Sequence, residues 1–351
     1  TERDILYIPV SSPSPNFYGG NRLDAIPLGT SVTALDANTG RIVWSRQLVH
    51  HDLWDLYTNA APTLVDLRRD GKVIPALVQT SKQGFLYVLD RTTGEPLFPI
   101  EERAAPASDV PGERAAPTQP YVRVPQAVVD DEWPGVYWLA DVASLGYCSR
   151  KLKALDYRGR FTPPSLKGAG ALVYPATIGG TEWGGGAVDP ARGIFVVNSS
   201  SAVQIYKLVP RAEFDPEAKA GGRETGGFFP MTGSPYGIEL TTFLNPLGMP
   251  CWKPPYGTMS AYDLNTGALL WRKPYGQVQK WGFYMPESWG SITIGGPVVT
   301  ASGLVFAGAS MDSRVRALDV ATGDVLWKHL VSAPAVSLPA VYQYKGRQYV
   351  V

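Results

Sequence analysis

The sequence predicts an all-β chain: a β-propeller of four-stranded antiparallel blades with Trp-ended repeats, about half of an eight-bladed ring, with two long insertions. Three observations predict it. Ala34-Leu-Asp-Ala-Asn-Thr-Gly-Arg-Ile-Val-Trp44 recurs as Ala261-Tyr-Asp-Leu-Asn-Thr-Gly-Ala-Leu-Leu-Trp271 and as Ala317-Leu-Asp-Val-Ala-Thr-Gly-Asp-Val-Leu-Trp327, with a weaker copy at Val88 to Phe98. Each copy reads as strand, Asp-x-x-Thr-Gly turn and strand, the hairpin that closes a propeller blade. The turn aspartates Asp36 and Asp90 lie 54 residues apart and Asp263 and Asp319 lie 56 apart, one four-stranded sheet per interval. Finally, 37 Gly and 31 Pro exceed the usual share, as a turn-rich all-β chain requires.

Taken in order, residues 1–48 form a blade lacking its inner strand, with the loop 11–30 inserted before the hairpin. Residues 59–100 read as a complete blade, whose strands are Ala61 to Val65, Ile74 to Gln79, Phe85 to Asp90 and Pro96 to Phe98. Residues 101–180 are Pro- and Gly-rich with little periodicity and are the first insertion. Residues 183–275 form a blade interrupted by a second insertion at 199–258, residues 290–331 form a regular one, and residues 335–351 start another. The chain opens and closes in mid-pattern, so it is expected to be a piece of a longer protein.

The 351 residues are 44% hydrophobic and 18% charged, with net charge +1, which supplies no electrostatic basis for nucleic-acid binding. No window reaches the roughly 18 apolar residues of a membrane span, and no signal peptide is evident. Cys148 and Cys251 lack metal-ligand spacing and read equally as buried thiols or as a disulfide between the insertions.

Two features carry chemistry. His50-His-Asp-Leu-Trp-Asp55 gathers two of the three histidines, two carboxylates and an indole in one loop. A carboxylate there suits a general base on the channel face, and the alternative is a solvated turn with stacking residues. Lys82 interrupts an apolar strand pair, either to donate to a carbonyl or carboxylate of a ligand or to snorkel outward at a blade edge.

Tyr7-Ile-Pro-Val10, Gly19-Gly-Asn21, His50 to Asp55, Thr118-Gln-Pro120, Phe161-Thr-Pro-Pro164, Glu182-Trp-Gly-Gly185, Pro235-Tyr-Gly237, Gly248-Met-Pro-Cys251 and Gly346 to Val351 follow one another in a specific order. With that set the chain resembles, end to end, the carboxyl-terminal half of membrane-bound, pyrroloquinoline-quinone (PQQ)-dependent dehydrogenases of the glucose, quinate and shikimate family. The resemblance implies that Asp55 removes the hydroxyl proton of a sugar or cyclic polyol while hydride passes to the quinone. It also implies that Lys82 contacts the quinone carbonyls, that His51, Trp54, Trp183 and Gly184 belong to the cofactor site, and that Cys148 and Cys251 are bonded.

A divalent cation, calcium or magnesium, is implied as well. Its Asn-Pro ligand position reads Ser14-Pro15 here, which leaves Ser14 and Asn16 as candidates beside the alternative of ordinary turn residues. Alcohol-oxidising relatives carry Trp-Asn where this chain has Trp183-Gly184, and Trp-Gly-Gly where it has Ile294-Gly-Gly296; both departures match the sugar branch. The family implies a periplasmic site on the inner membrane, amino-terminal anchoring helices absent from this sequence and ubiquinone as electron acceptor. The early blades that sandwich the quinone ring are also absent, so the base-bearing half of a site is expected. The competing reading is a non-catalytic propeller scaffold of the outer-membrane assembly-factor type. Strand exchange in a homodimer would cover the open blade edges.

Overall fold

The computed structural model describes residues 4–69, 71–214, 226–280 and 282–351. The Asp-x-x-Thr-Gly turns show why the repeat folds as it does. In the first, the Asp36 carboxylate accepts hydrogen bonds from the backbone N–H groups of Asn38 and Thr39 at 2.9 and 2.8 Å and from the Thr39 hydroxyl at 2.9 Å. Gly40 then takes φ +70°, which closes the turn at little cost without a Cβ. Asp319 binds Ala321 and Thr322 in the same way, and Gly323 again takes φ +70°.

Three of the four terminal aromatics pack on the Thr-Gly turn of the next sheet, while Trp327, at the end of the fourth copy, is half exposed and stacks on His329. Trp44 lies over Gly94 and donates its indole N–H to the Arg91 carbonyl at 3.2 Å, and Trp271 lies over Gly323 and donates to the Val320 carbonyl at 3.0 Å. Phe98 covers Gly267 without a polar bond. One repeat therefore supplies both the hairpin and the staple to its neighbour.

The propeller sheets follow the order of the repeats. Ile5–Val10, Ser31–Asp36 and Ile42–Gln47 pair antiparallel in the first. Thr63–Arg69, Lys72–Thr80 and Leu86–Asp90 form the second, where the anticipated fourth strand is reduced to a bridge between Leu89 and Pro96, since Pro96 has no N–H for a ladder. Gly186–Asp189, Ile194–Ser200, Gly257–Asp263 and Leu269–Pro274 form the third, continuous across the second insertion. Val298–Val299, Leu304–Ala307, Arg314–Asp319 and Val325–Leu330 form the fourth, and the hairpin Val341–Tyr344 with Arg347–Val350 follows.

The insertions are more ordered than their composition suggests. Ile100–Ala104 pairs with Thr118–Val122, and the short helices Trp138–Ala143 and Tyr147–Leu152 follow. Ala171–Val173, Gln204–Pro210, Tyr236–Thr242 and Gly226–Phe229 then combine into a four-stranded sheet drawn from both insertions. Cys148 is bonded to Cys251, with Cα atoms 5.5 Å apart, which joins the helical part of the first insertion to the end of the second.

The staple can be isolated by comparing two glycines with nearly the same backbone. Gly71 has φ +73° with open space around it, whereas a Cβ on Gly323 would meet the Trp271 ring at 2.6 Å. Gly71→Ala is expected to cost about 1–2 kcal/mol from backbone strain, and Gly323→Ala a further 1–3 kcal/mol or so from overpacking. Equal shifts in the urea unfolding midpoints of the two variants would remove the indole–glycine contact as a determinant of stability.

Candidate active site

The loop after strand Ile42–Gln47 folds around a buried carboxylate. Asp52 accepts from the N–H groups of Trp54 and Leu56 at 2.9 and 3.3 Å with one oxygen, and from the hydroxyls of Ser12 and Thr30 at 2.6 and 2.9 Å with the other. So tied, the chain passes through Asp55 at φ +61°, a conformation uncommon for a residue with a Cβ, and the Asp55 side chain enters a cavity of about 930 Å³.

Lys82 reaches the same cavity from the turn after strand Lys72–Thr80. Its Nζ lies 3.8 Å from Asp55 Oδ2 and 4.3 Å from the centroid of the Tyr57 ring, and its side chain is only 8% exposed. The segment around Gly180 seals this turn from behind. A Cβ on Gly180 would collide with the Lys82 carbonyl, and Thr181 donates both its N–H and its hydroxyl to the Ser81 carbonyl.

The electrostatics follow from burial. Asp55, 16% exposed at its side chain, has its pKa raised to about 6 by desolvation; Lys82 and the 2.6 Å hydrogen bond from the Asn16 amide oppose the rise, while Asp52 and Glu182 add to it. Glu182 is raised by burial against the pull of Lys82, and one of its oxygens accepts from Asn59 Nδ2 at 3.1 Å. With a pKa of about 6 Asp55 is largely ionised at neutral pH and chemically able to accept a proton.

The structure sorts the anticipated site residues. Asp55, Lys82, Ser14 and Asn16 line the one cavity, together with Thr177, Glu182 and an apolar wall that includes Phe17, Met231, Leu240 and Ile294. Trp54 and His51 lie behind the loop. Trp54 is fully buried, donates to the Thr162 carbonyl at 2.7 Å and packs edge-on to Phe161, while His51 binds Glu113 at 2.7 Å and faces a second cavity. Both brace the base and neither lines its cavity.

Trp183 is 46% exposed and lies outside the cavity lining. Gly184 packs directly on Gly295 and Gly296, leaving no space for a side chain, so the two departures from the alcohol-oxidising pattern meet at one backbone contact beside Ile294. Glu182 and its partner Asn59 were the residues that reading the chain for chemistry passed over. The signal was a carboxylate alone in a Gly-rich stretch before Trp183.

This lining fits a flat quinone held at its carbonyls. Lys82 is the single cation among the lining residues, Asn16 and Thr177 add polar groups, and the apolar wall suits a ring system. Fit to a divalent cation is partial: Ser14, Asn16, Asp55 and Glu182 offer oxygens, yet no group of three or more His, Cys, Asp or Glu gathers into a metal cluster among the described residues.

Comparison with known proteins agrees with this chemistry. The profile of the PQQ glucose/ethanol/alcohol dehydrogenase β-propeller domain matches residues 1–350. The chain is 36% identical to the quinoprotein glucose dehydrogenase of Escherichia coli over 360 residues, and 38% identical to a probable quinate dehydrogenase (quinone) of Xanthomonas campestris pv. juglandis over 362. Each alignment takes in 99% of this chain and 45% of the relative, so the chain spans less than half the length of these proteins. The solved quinohemoprotein alcohol dehydrogenase ADHIIG of Pseudomonas putida HK5 superposes with a TM-score of 0.62 at 24% identity, over 99% of this chain and 42% of that one, which shows the shared fold. With a profile matched over nearly its whole length, the chain belongs to the PQQ-dependent glucose/ethanol/alcohol dehydrogenase β-propeller family.

Proposed function

We propose that this chain carries the base-bearing half of an active site that oxidises a hydroxyl group of a sugar or cyclic polyol, of the glucose or the quinate and shikimate type. The observation that carries the reading is the approach of Asp55 and Lys82 to 3.8 Å in one cavity. A non-catalytic scaffold would have no use for a buried ammonium beside a buried carboxylate on the wall of a ligand-sized cavity. The family match lies with dehydrogenases.

PQQ, when bound, supplies the acceptor for the two electrons and the hydrogen that leave the substrate carbon. Asp55 takes the hydroxyl proton, so that the carbon–oxygen bond becomes a carbonyl as the hydride departs. Lys82 would hold the quinone from the cavity wall and would stabilise negative charge developing on it. Asn16 holds the Asp55 carboxylate in place, and the apolar wall limits water. A calcium or magnesium ion drawing on Ser14 and Asn16 is part of the reading; their place on the cavity wall supports it, with the remaining ligands coming from outside this set. Ubiquinone as final acceptor, a periplasmic location on the inner membrane and pairing of two copies through open sheet edges complete it.

Tests follow from the base. In the full-length, quinone-loaded protein, Asp55→Asn is expected to lower kcat about 10²- to 10⁴-fold with little change in quinone affinity, and unchanged turnover would remove Asp55 from the role. Lys82→Ala is expected to weaken quinone binding in a fluorescence titration as well as turnover; full affinity would dissociate Lys82 from the cofactor. For wild type, kcat/KM should fall about tenfold per pH unit below the Asp55 pKa of about 6.

Stability should move the opposite way. Because the folded-state pKa lies above the ordinary 3.8, the stabilising contribution of Asp55 is present at low pH and is lost as pH rises through about 6. Asp55→Asn is therefore expected to raise the melting temperature at pH 8, by about 2–3 kcal/mol of stability, and the gain should vanish towards pH 4. A gain independent of pH would show that burial of this charge is not its source.

A further inference from the structure

The polar end of the cavity holds two carboxylates and one ammonium, and only one of the carboxylates is needed as a base. Glu182 enters from the segment that closes over the Lys82 turn, a different part of the chain from the Asp55 loop. It is held in place: Asn59 Nδ2 bridges the Thr181 carbonyl at 3.0 Å and Glu182 Oε2 at 3.1 Å, so one amide fixes both the backbone and the side chain. A carboxylate accepts about four hydrogen bonds, and Glu182 faces a cavity in which Lys82 is the only charged donor and is shared with Asp55.

We propose that Glu182 is a specificity-determining residue that accepts a hydrogen bond from a second hydroxyl of the substrate, so that the site selects a diol over a matched mono-alcohol. This rests on the oxidation reading above and deepens it. The chemistry is that of complementary counts. A diol presents two O–H donors, one to Asp55 and a neighbouring one to Glu182, whereas a mono-alcohol leaves Glu182 with only its bonds from Asn59 and the Trp183 N–H and part of its accepting capacity unused. A site built to hydrogen-bond a hydroxyl rejects analogues lacking it far more strongly than an apolar pocket rejects a missing methylene. Burial raises the Glu182 pKa against Lys82 and the hydrogen bonds from Trp183 and Asn59, so a further hydroxyl donor would favour its ionised form.

The rest of the lining supports the same reading. Ile178, Ile292, Ile294 and Met311 form apolar surface on the lining, so a polyol finds its hydrogen-bonding partners at the carboxylate end. Thr177, whose hydroxyl is already committed to Gln204 Oε1 at 2.8 Å, does not compete as a donor to Glu182.

The test compares cis-1,2-cyclohexanediol with cyclohexanol in the full-length protein loaded with quinone and cation. Glu182→Gln keeps the shape and removes the charge; it is expected to lower the diol-to-alcohol ratio of kcat/KM about 10- to 100-fold, the loss of one charge-assisted hydrogen bond, with the change carried by KM. Glu182→Asp should retain part of the preference. A ratio unchanged in Glu182→Gln, or equal losses on both compounds, would overturn the proposal. Calorimetric binding of the same two compounds, without turnover, separates the two readings. Preferential diol binding that depends on Glu182 in a protein that oxidises neither compound would sink the oxidation reading and leave Glu182 only as a diol-binding residue; equal diol binding by wild type and Glu182→Gln in a protein that oxidises the diol would overturn the proposal and leave the oxidation reading standing.

Discussion

The Asp52 carboxylate is the constraint on which the site depends. It gathers Ser12 and Thr30 from the loop between the first two strands and the backbone of Trp54 and Leu56 from its own loop, four hydrogen bonds to one buried group. Hydrogen bonds to a charged group are worth about 1.5–3 kcal/mol each, enough together to hold Asp55 at a positive φ that a free loop would leave. Trp54 and His51 complete the bracing from behind, the first through Thr162 and Phe161 and the second through Glu113. A base has to meet its proton at a defined place, and here that place is specified by a neighbouring carboxylate that never enters the cavity.

Electrostatic frustration is built into the other side. Burying Asp55, Glu182 and Lys82 together places two negative groups around one positive one in a partly apolar space, and desolvation outweighs attraction for both acids. Left to stability alone, such a cluster would be replaced by apolar residues of similar volume. Its persistence is understandable if ligands complete it: a quinone engages Lys82, and hydroxyl donors satisfy the acids. The strain in the free site is thus the counterpart of affinity in the loaded one.

How much of this could be read from the chain varies with the range of the interaction. The Asp-x-x-Thr-Gly turns and their aromatics are local, and the sheets they close lie where the repeats place them. The sheet built from Ala171–Val173, Gln204–Pro210, Gly226–Phe229 and Tyr236–Thr242 is not local. Its strands come from Pro- and Gly-rich segments on both sides of Gly186–Asp189, and pairing across that separation leaves no periodic trace. At the site, Lys82 was legible as a charge interrupting an apolar run, and Asp55 through the resemblance carried by its His-His-Asp-x-Trp-Asp motif. Trp54 and His51 were placed with the cofactor because they share a motif with Asp55, yet a tight loop turns successive side chains to opposite sides, and they face away. Glu182 matters through Asn59, more than a hundred residues earlier, and such a pairing becomes visible only when both loops are folded.

The cavity divides its chemistry between two kinds of chain. The charged groups Asp55, Lys82 and Glu182 stand on connections between propeller strands, whose positions are set by the stapled repeat. Much of the apolar wall, Phe229 to Thr232 with Leu240, belongs to the sheet made from the insertions. That sheet is bound to the propeller through a core in which Trp54 and Phe161 meet Ala171, Val173 and Leu240, and the helices of the first insertion are tied by the Cys148–Cys251 bridge to the chain just beyond it. The repeat can therefore keep base and lysine in register while the insertion sheet varies the shape of the space above them. On the proposed reading, substrate range in such a design would be set by the insertions and Glu182, and proton removal by the repeat.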